Sequence, residues 1–425
     1  MKPTLRVLIV ALSLLLFGQS QSPLFAEDSN AIDFNRAKEI YQKAQRGEKL
    51  SAEDQAYLER AKAAKRKQDQ GAGQQPGQGG QDGIDWERAQ DLFQRSQRGE
   101  KLTDEQQAYL DRAKAARAKG GNQGGPGAAL GKPSVGLVPL TELTGEYKGQ
   151  DGGLYGGGKN EPPAGHAAAA AKETAKTQPL DREGKPSPQG RIVFVSISMS
   201  NATQEFSRFK QIADADPQKS PLLTIVDCAQ GGQAMAEWVS PAARPWTEAE
   251  NRIRNAGVTL AQVQVAWVKL ANKGPRGDLA EHGGKLQQDT LQVLQNAKAR
   301  FPNLRIIYLG SRIYGGWSGG ALNPEPYAYE GAFPVRWLIQ AQIKGDAALN
   351  YDARFGEVKA PLLLWGPYFW ADGTTPRKSD GLVWERKDLG PDGTHPSDSG
   401  RQKVADMLLN FLKSDSIAKT WFVKK

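Results

Sequence analysis

From about residue 186 onward the chain alternates short apolar runs with amphipathic stretches. Five runs, at 191–197, 222–227, 262–268, 305–309 and 361–365, carry Val, Ile and Leu on both alternating positions. That is the pattern of strands covered on both faces. Between and after them lie helical patterns near 203–214, 246–256, 284–300, 334–344 and 397–413. Strand and helix in strict alternation predict an α/β fold, a three-layer α/β/α sandwich around a five-stranded parallel sheet. In such a sheet chemistry gathers at the carboxyl ends of the strands.

The N-terminal part has a different pattern. Residues 32–67 and 84–119 repeat each other at an offset of 52, and each copy reads as a helical hairpin. Phe34, Ala37, Ile40, Tyr41 and Ala44 follow helical spacing, and Gly47 suits a left-handed helix end. Ser51-Ala-Glu-Asp54 and Thr103-Asp-Glu-Gln106 then open the second helices as near capping boxes. A Gly/Gln-rich linker at 71–83 joins the copies, and 120–133 should likewise be coil. The whole stretch 120–185 is rich in Gly, Pro and Ala, with 152–159 an extended segment wrapping the next domain. The hairpins are a candidate docking module for a cell-envelope protein, or else a solvated spacer.

Residues 1–26 carry a basic start (Lys2, Arg6), an apolar run at 7–17 and a small residue, Ala26, before Glu27. That is a secretory signal pattern without a lipidation cysteine, so the mature chain is expected to be periplasmic or secreted, with no later span. The formal charge of +9 is spread along 425 residues without a basic block, and no nucleic-acid partner is expected. A single cysteine, Cys228, excludes an intrachain disulfide framework and a Cys-based metal site, and its place after an apolar run reads as a buried thiol. No metal-ligand cluster and no phosphate-binding Gly-Lys-Ser/Thr loop stands out, so neither metal nor cofactor is expected.

The candidate chemistry lies after the strands. There are three histidines: His166 in an Ala-rich tract, His282 in a charged loop, and His395 in Asp392-Gly-Thr-His395-Pro-Ser397. By elimination His395 is the best base, and Asp392, three residues earlier, can reach back to its ring. A hydroxyl nucleophile needs a base oriented in this way. Ser196-Ile-Ser-Met-Ser200-Asn201 follows the first strand, and Asp227-Cys-Ala-Gln-Gly231-Gly232-Gln233 the second. Each has a plainer reading: Ser200 as a helix N-cap, Gly231-Gly232 as a tight turn, Asp392-Gly393 as a turn with His395 exposed.

These blocks, over roughly 190–415, resemble those of SGNH (GDSL-type) hydrolases, and Ser200-Asn201 is closest in style to the sialate O-acetylesterase branch. The resemblance implies a flavodoxin-like serine esterase in which Ser200 attacks, His395 carries the proton and Asp392 orients it. The N–H groups of Ser200 and Gly232 would stabilise the oxyanion. Ser198 and Met199 replace the usual Gly-Asp or Gly-Gln before the nucleophile. The family's third block supplies an amide side chain to the oxyanion; here Lys269 and Asn272 are the candidates, and losing such a donor costs about 2.7–4 kcal/mol. Asn201, Arg312, Tyr314 and Trp317 are candidate substrate contacts, Arg312 for an acidic sugar or else in a structural ion pair. Tyr327, Tyr329, Tyr368 and Trp370 complete a candidate stacking platform, or pack under the loops. The expected substrate is an acylated carbohydrate or small molecule; the rival reading is a catalytically silent fold that binds glycan or serves as an envelope scaffold.

Overall fold

The computed structural model describes residues 36, 40, 51–71, 89, 92, 102–120 and 131–424. Contacts divide the chain into two units, 1–122 and 123–425. In the first unit, α1 (Ala52–Gly71) and α2 (Asp104–Gly120) are the second helices of the two repeats. Their caps form as their sequences dictate. Ser51 Oγ accepts from Asp54 N–H at 3.0 Å. Thr103 and Gln106 bond each other's backbone N–H at 3.3 and 3.1 Å. Equivalent positions are buried in both copies, Leu58 and Ala61 in one, Leu110 and Ala113 in the other. The signal segment, the hairpin turns and linker positions 72–83 and 121–130 lie outside the described residues.

In the second unit the five strands are β1 (Ile192–Ile197), β2 (Leu223–Val226), β3 (Val263–Lys269), β4 (Ile306–Gly310) and β5 (Leu362–Trp365). All neighbours pair in parallel, in the order β2-β1-β3-β4-β5. This is the flavodoxin-like order. Every residue of β1, β3, β4 and β5 is buried, which accounts for their unbroken apolar character. Phe194 of β1 packs edge-on against Phe206, Phe209 and Trp421. Burying one such ring contributes about 1.5–3 kcal/mol.

The helices close the layers: α4 (Ser200–Ala215), α5 (Arg244–Asn255), α6 (Gly284–Arg300), α7 (Ala332–Ile343) and α8 (Asp398–Ser414). A further helix, α3 (Ala164–Thr174), precedes the sheet. Its His166 ring bonds Leu363 O of β5 at 2.7 Å, and burial lowers the pKa of that ring.

The segment before β1 is built into this unit. Leu140, Leu154, Ala170 and Leu180 are buried, and the Asp372 carboxylate accepts from Ser134 Oγ and from Val135 and Gly136 N–H at 2.8 and 2.9 Å. Residues 152–159 are not extended. They form consecutive tight turns, with Gly156 N–H on Gly153 O at 3.2 Å and Lys159 N–H on Gly156 O at 3.0 Å. Gly153 at φ +85° has no room for a Cβ, which would lie 2.4 Å from Lys159 N. A run of glycines reads as extended coil in sequence because tight packing against its own turns leaves no apolar signature.

Residues 131–425 alone are therefore expected to melt cooperatively, near the temperature of the full chain, when followed by circular dichroism. Removing 131–190 as well should abolish that transition, because it takes four buried apolar side chains, Leu140, Leu154, Ala170 and Leu180, out of the core and strips β5 of its cover.

Candidate active site

β1 delivers the chain to the sheet edge at the point where the order reverses between β1 and β3, the usual ligand position in such sheets. The turn there is tight. Ser198, at φ 156°, occupies a backbone region that favours glycine, at a cost of order 1–3 kcal/mol unless neighbours hold it. Two contacts do: Ser198 Oγ donates to Lys269 O, and Ser198 O accepts from Gln230 N–H at 2.9 Å. Met199 is the N-cap of α4, without a side-chain cap bond, and Ser200 is its first residue. The Ser200 hydroxyl instead meets His395 Nε2 at 2.8 Å.

The other partner comes from the loop before α8. Asp392 Oδ1 accepts from the N–H groups of Thr394 and His395, each at 3.0 Å, and Oδ2 meets His395 Nδ1 at 2.5 Å. One carboxylate thus sets both the turn and the ring, and the Asp-x-x-His spacing encodes it locally. Burial raises the Asp392 pKa, but the His395 ring and the two N–H groups outweigh it and bring it to about 2. Ser200, His395 and Asp392 form a continuous relay.

The remaining candidates divide. Gly232 sits in a turn at φ +74°, and its N–H makes no bond among the described residues. The N–H of Ser200, at the first helical position, has no intrahelical partner. Both remain free to meet an oxyanion, and the dipole of α4 adds favourable potential there. Lys269 does not serve in this way: it is fully buried, and its Nζ contacts both Glu205 oxygens at 2.6 and 2.5 Å. Asn272 is committed too, donating to Asp289 at 2.8 Å and accepting from Ala236 N–H at 3.0 Å. Neither expectation for a third donor survives.

The substrate contacts also need correction. Asn201 is buried and donates to Thr394 O at 2.9 Å, so it supports the histidine loop. Arg312 is buried; its guanidinium donates to Asn323 Oδ1 at 2.5 Å and Asn272 O at 2.7 Å, and burial lowers its pKa. It knits two loops and does not face a cleft. Tyr314 is buried with its hydroxyl on Lys132 O at 2.6 Å, and Tyr327, Tyr329, Tyr368 and Trp370 are buried as packing. Trp317 is half-buried, its indole N–H on Trp384 O at 2.9 Å, and its backbone lies close against Gly393. These buried rings form no stacking platform.

Sequence reasoning missed the polar web under the glycine turn at Gly232. Asp227 accepts from Ser196 Oγ at 2.5 Å and from Thr203 and Ser207, both at 2.6 Å. Burial raises its pKa, against those hydroxyl bonds. Ser196 Oγ in turn accepts from the N–H groups of Cys228 and Ala229 at 3.0 and 3.1 Å. Arg252 holds the carbonyls of Asp227 and Ala229. Thr203 and Ser207, four apart on one helix face, were a legible signal. Cys228 is buried, and burial pushes its thiol pKa up.

His282 is buried with Nε2 on Glu330 at 2.6 Å, so neither it nor His166 is bonded at this site. Among the described residues no group of three His, Cys, Asp or Glu side chains is placed to hold a metal.

No protein-family model matches the chain, and no curated protein matches it. Solved structures similar to it at 14% identity include the following three. A candidate acylhydrolase of Bacteroides fragilis covers 61% of this chain and 100% of its own, with TM-score 0.29. The periplasmic domain of a lipopolysaccharide acetyltransferase from Salmonella ser. Paratyphi A covers 54% and 85%, with TM-score 0.30. A gut microbial diltiazem-metabolizing enzyme covers 54% and 48%, with TM-score 0.31. Similarity at these scores carries no argument; the sheet order and the site geometry of this chain do.

The loop after β4 leans on the carboxyl of Glu325, a half-buried residue. Glu325 accepts from Gly315 N–H at 2.7 Å, Trp370 Nε1 at 2.8 Å and Tyr329 N–H at 3.0 Å. Burial, against those three donors, raises its pKa to about 7. Between about 4.5 and 7 the folded state binds more protons than the unfolded, so stability is full below that window and falls as pH rises through it. The difference is worth about 3 kcal/mol. Urea unfolding at about pH 5 and about pH 8 should show that decline in wild type and a much flatter dependence in Glu325→Gln.

Proposed function

We propose that this chain is an exported serine esterase of the SGNH type that hydrolyses a short acyl ester, acetyl being the candidate group, from a carbohydrate. What carries the reading is the relay Ser200–His395–Asp392, with links of 2.8 and 2.5 Å at the carboxyl edge of a parallel sheet. The order and style of the motif blocks support the family and the carbohydrate ester. The leader-like residues 1–26 support export.

In the proposed reaction Ser200 Oγ bonds to the ester carbon as its proton passes to His395 Nε2. The developing oxyanion is met by the N–H groups of Ser200 and Gly232. The tetrahedral species expels the alcohol, which leaves with the proton from His395. Water then bonds to the acyl carbon as it gives a proton to His395; the Ser200 Oγ–carbon bond breaks, the acid leaves, and His395 returns the proton to Ser200 Oγ. Asp392 stays ionised throughout, since its pKa of about 2 lies far below neutral pH, and so stabilises the imidazolium formed in each half.

One observation favours the rival, a silent fold: both candidates for a third oxyanion donor are committed elsewhere. The hairpin repeats remain the candidate docking arm for an envelope partner in either reading.

Purified mature protein should turn over p-nitrophenyl acetate. Ser200→Ala and His395→Ala should lose about 10³-fold or more in kcat/KM, and Asp392→Asn a comparable amount with the fold unchanged by circular dichroism. Equal rates in wild type and Ser200→Ala would give the protein to the silent-fold reading.

A further inference from the structure

Lys269 and Glu205 have no exposed surface and no part in the proton relay, yet their contacts bracket the turn that carries Ser200. Lys269 is the last residue of β3, beside β1 through the pairs Ser196–Trp267 and Ile197–Val268. Its carbonyl takes the Ser198 hydroxyl, so its main chain holds the turn just before Ser200. Its ammonium reaches both oxygens of Glu205, at 2.6 and 2.5 Å, and Glu205 lies on α4 in the turn after Ser200. The cation also sits 5.4 Å from the centre of the Phe369 ring.

A buried ion pair is a poor way to gain stability, because desolvating two charges cancels most of their attraction. Its geometry is nevertheless stringent: two oxygens on one ammonium allow little sliding between helix and strand. The held object needs such restraint, since Ser198 sits at φ 156°, where a side chain is disfavoured and the backbone tends to relax.

We infer that Lys269, through Glu205 on one side and Ser198 on the other, is a positioning residue that holds the strained turn so that the Ser200 hydroxyl points at His395. This rests on the esterase reading. Neither residue touches substrate; each acts through Ser200.

The test uses the full mature chain and p-nitrophenyl acetate, with four variants besides Ser200→Ala. Lys269→Met and Glu205→Gln each leave one buried charge alone, so loss of fold is checked by thermal melting. The double variant Glu205→Leu/Lys269→Met replaces the pair with apolar groups and is expected to stay folded. It should lose about 100-fold in kcat with KM within about twofold, the signature of a misaimed nucleophile. Ser198→Ala, which keeps the disfavoured backbone but removes the other anchor, the Ser198 hydroxyl on the Lys269 carbonyl, should likewise lower kcat with KM within about twofold. A merely structural pair would leave kcat of the folded double variant at the wild-type value. The inference is overturned if the folded double variant keeps wild-type kcat. Should Ser200→Ala match wild type, the esterase reading fails first, and labelling of Ser200 by a fluorophosphonate separates that outcome from failure of the clamp alone.

Discussion

A single hydrogen bond, 2.8 Å between Ser200 and His395, joins residues 195 positions apart, and the rest of the site is arranged to make it possible. It requires the start of α4 and the loop before α8 to meet at one edge of the sheet. Parallel strands satisfy this by necessity, because every crossover returns the chain so that all carboxyl ends lie on the same side. α4 and α8 then lie side by side, tied by Arg208 to Gln402 at 2.6 Å and by Asn201 to Thr394 at 2.9 Å. Two helix starts become neighbours, and a hydroxyl and an imidazole become partners.

That arrangement leaves much polar material out of water. Glu205, Lys269 and Arg312 are buried, Asp227 and Glu325 half-buried, and each has a specific set of partners. Burying such groups contributes little to stability on balance, but leaving any one unpaired would cost several kcal/mol. They are directional, so they define which loop conformation is the stable one, where apolar packing would tolerate several. The web under Asp227 holds the glycine turn, and the pair at Lys269 holds the serine turn.

The aromatic residues do something different. Tyr329 and Trp370 stack edge to face at 4.8 Å, Phe206 lies parallel to Trp267, and Tyr147 lies parallel to Phe333. These rings are the floor on which the long loops after β4 and β5 rest. Tyr147 belongs to the segment before β1, so that segment is part of the same packing. Rings on a loop and rings beneath a loop have the same sequence appearance, since both interrupt polar stretches without periodicity.

What the sequence determined by itself was whatever depends on near neighbours. Strands apolar on both faces, helices with one apolar stripe, the caps at Ser51 and Thr103, and the Asp392–His395 turn are all decided within a few residues, and all stand within three residues of the expected places. The tertiary structure decided where long side chains spend their donors. Lys269, Asn272, Asn201 and Arg312 each follow a strand end or flank a motif, as substrate-binding residues would, but each finds a partner between 17 and 193 positions away. A donor's direction depends on which acceptor the folded chain places nearest, and no local pattern records that. The same long-range placement turns Ser200 from a helix cap into a partner of His395.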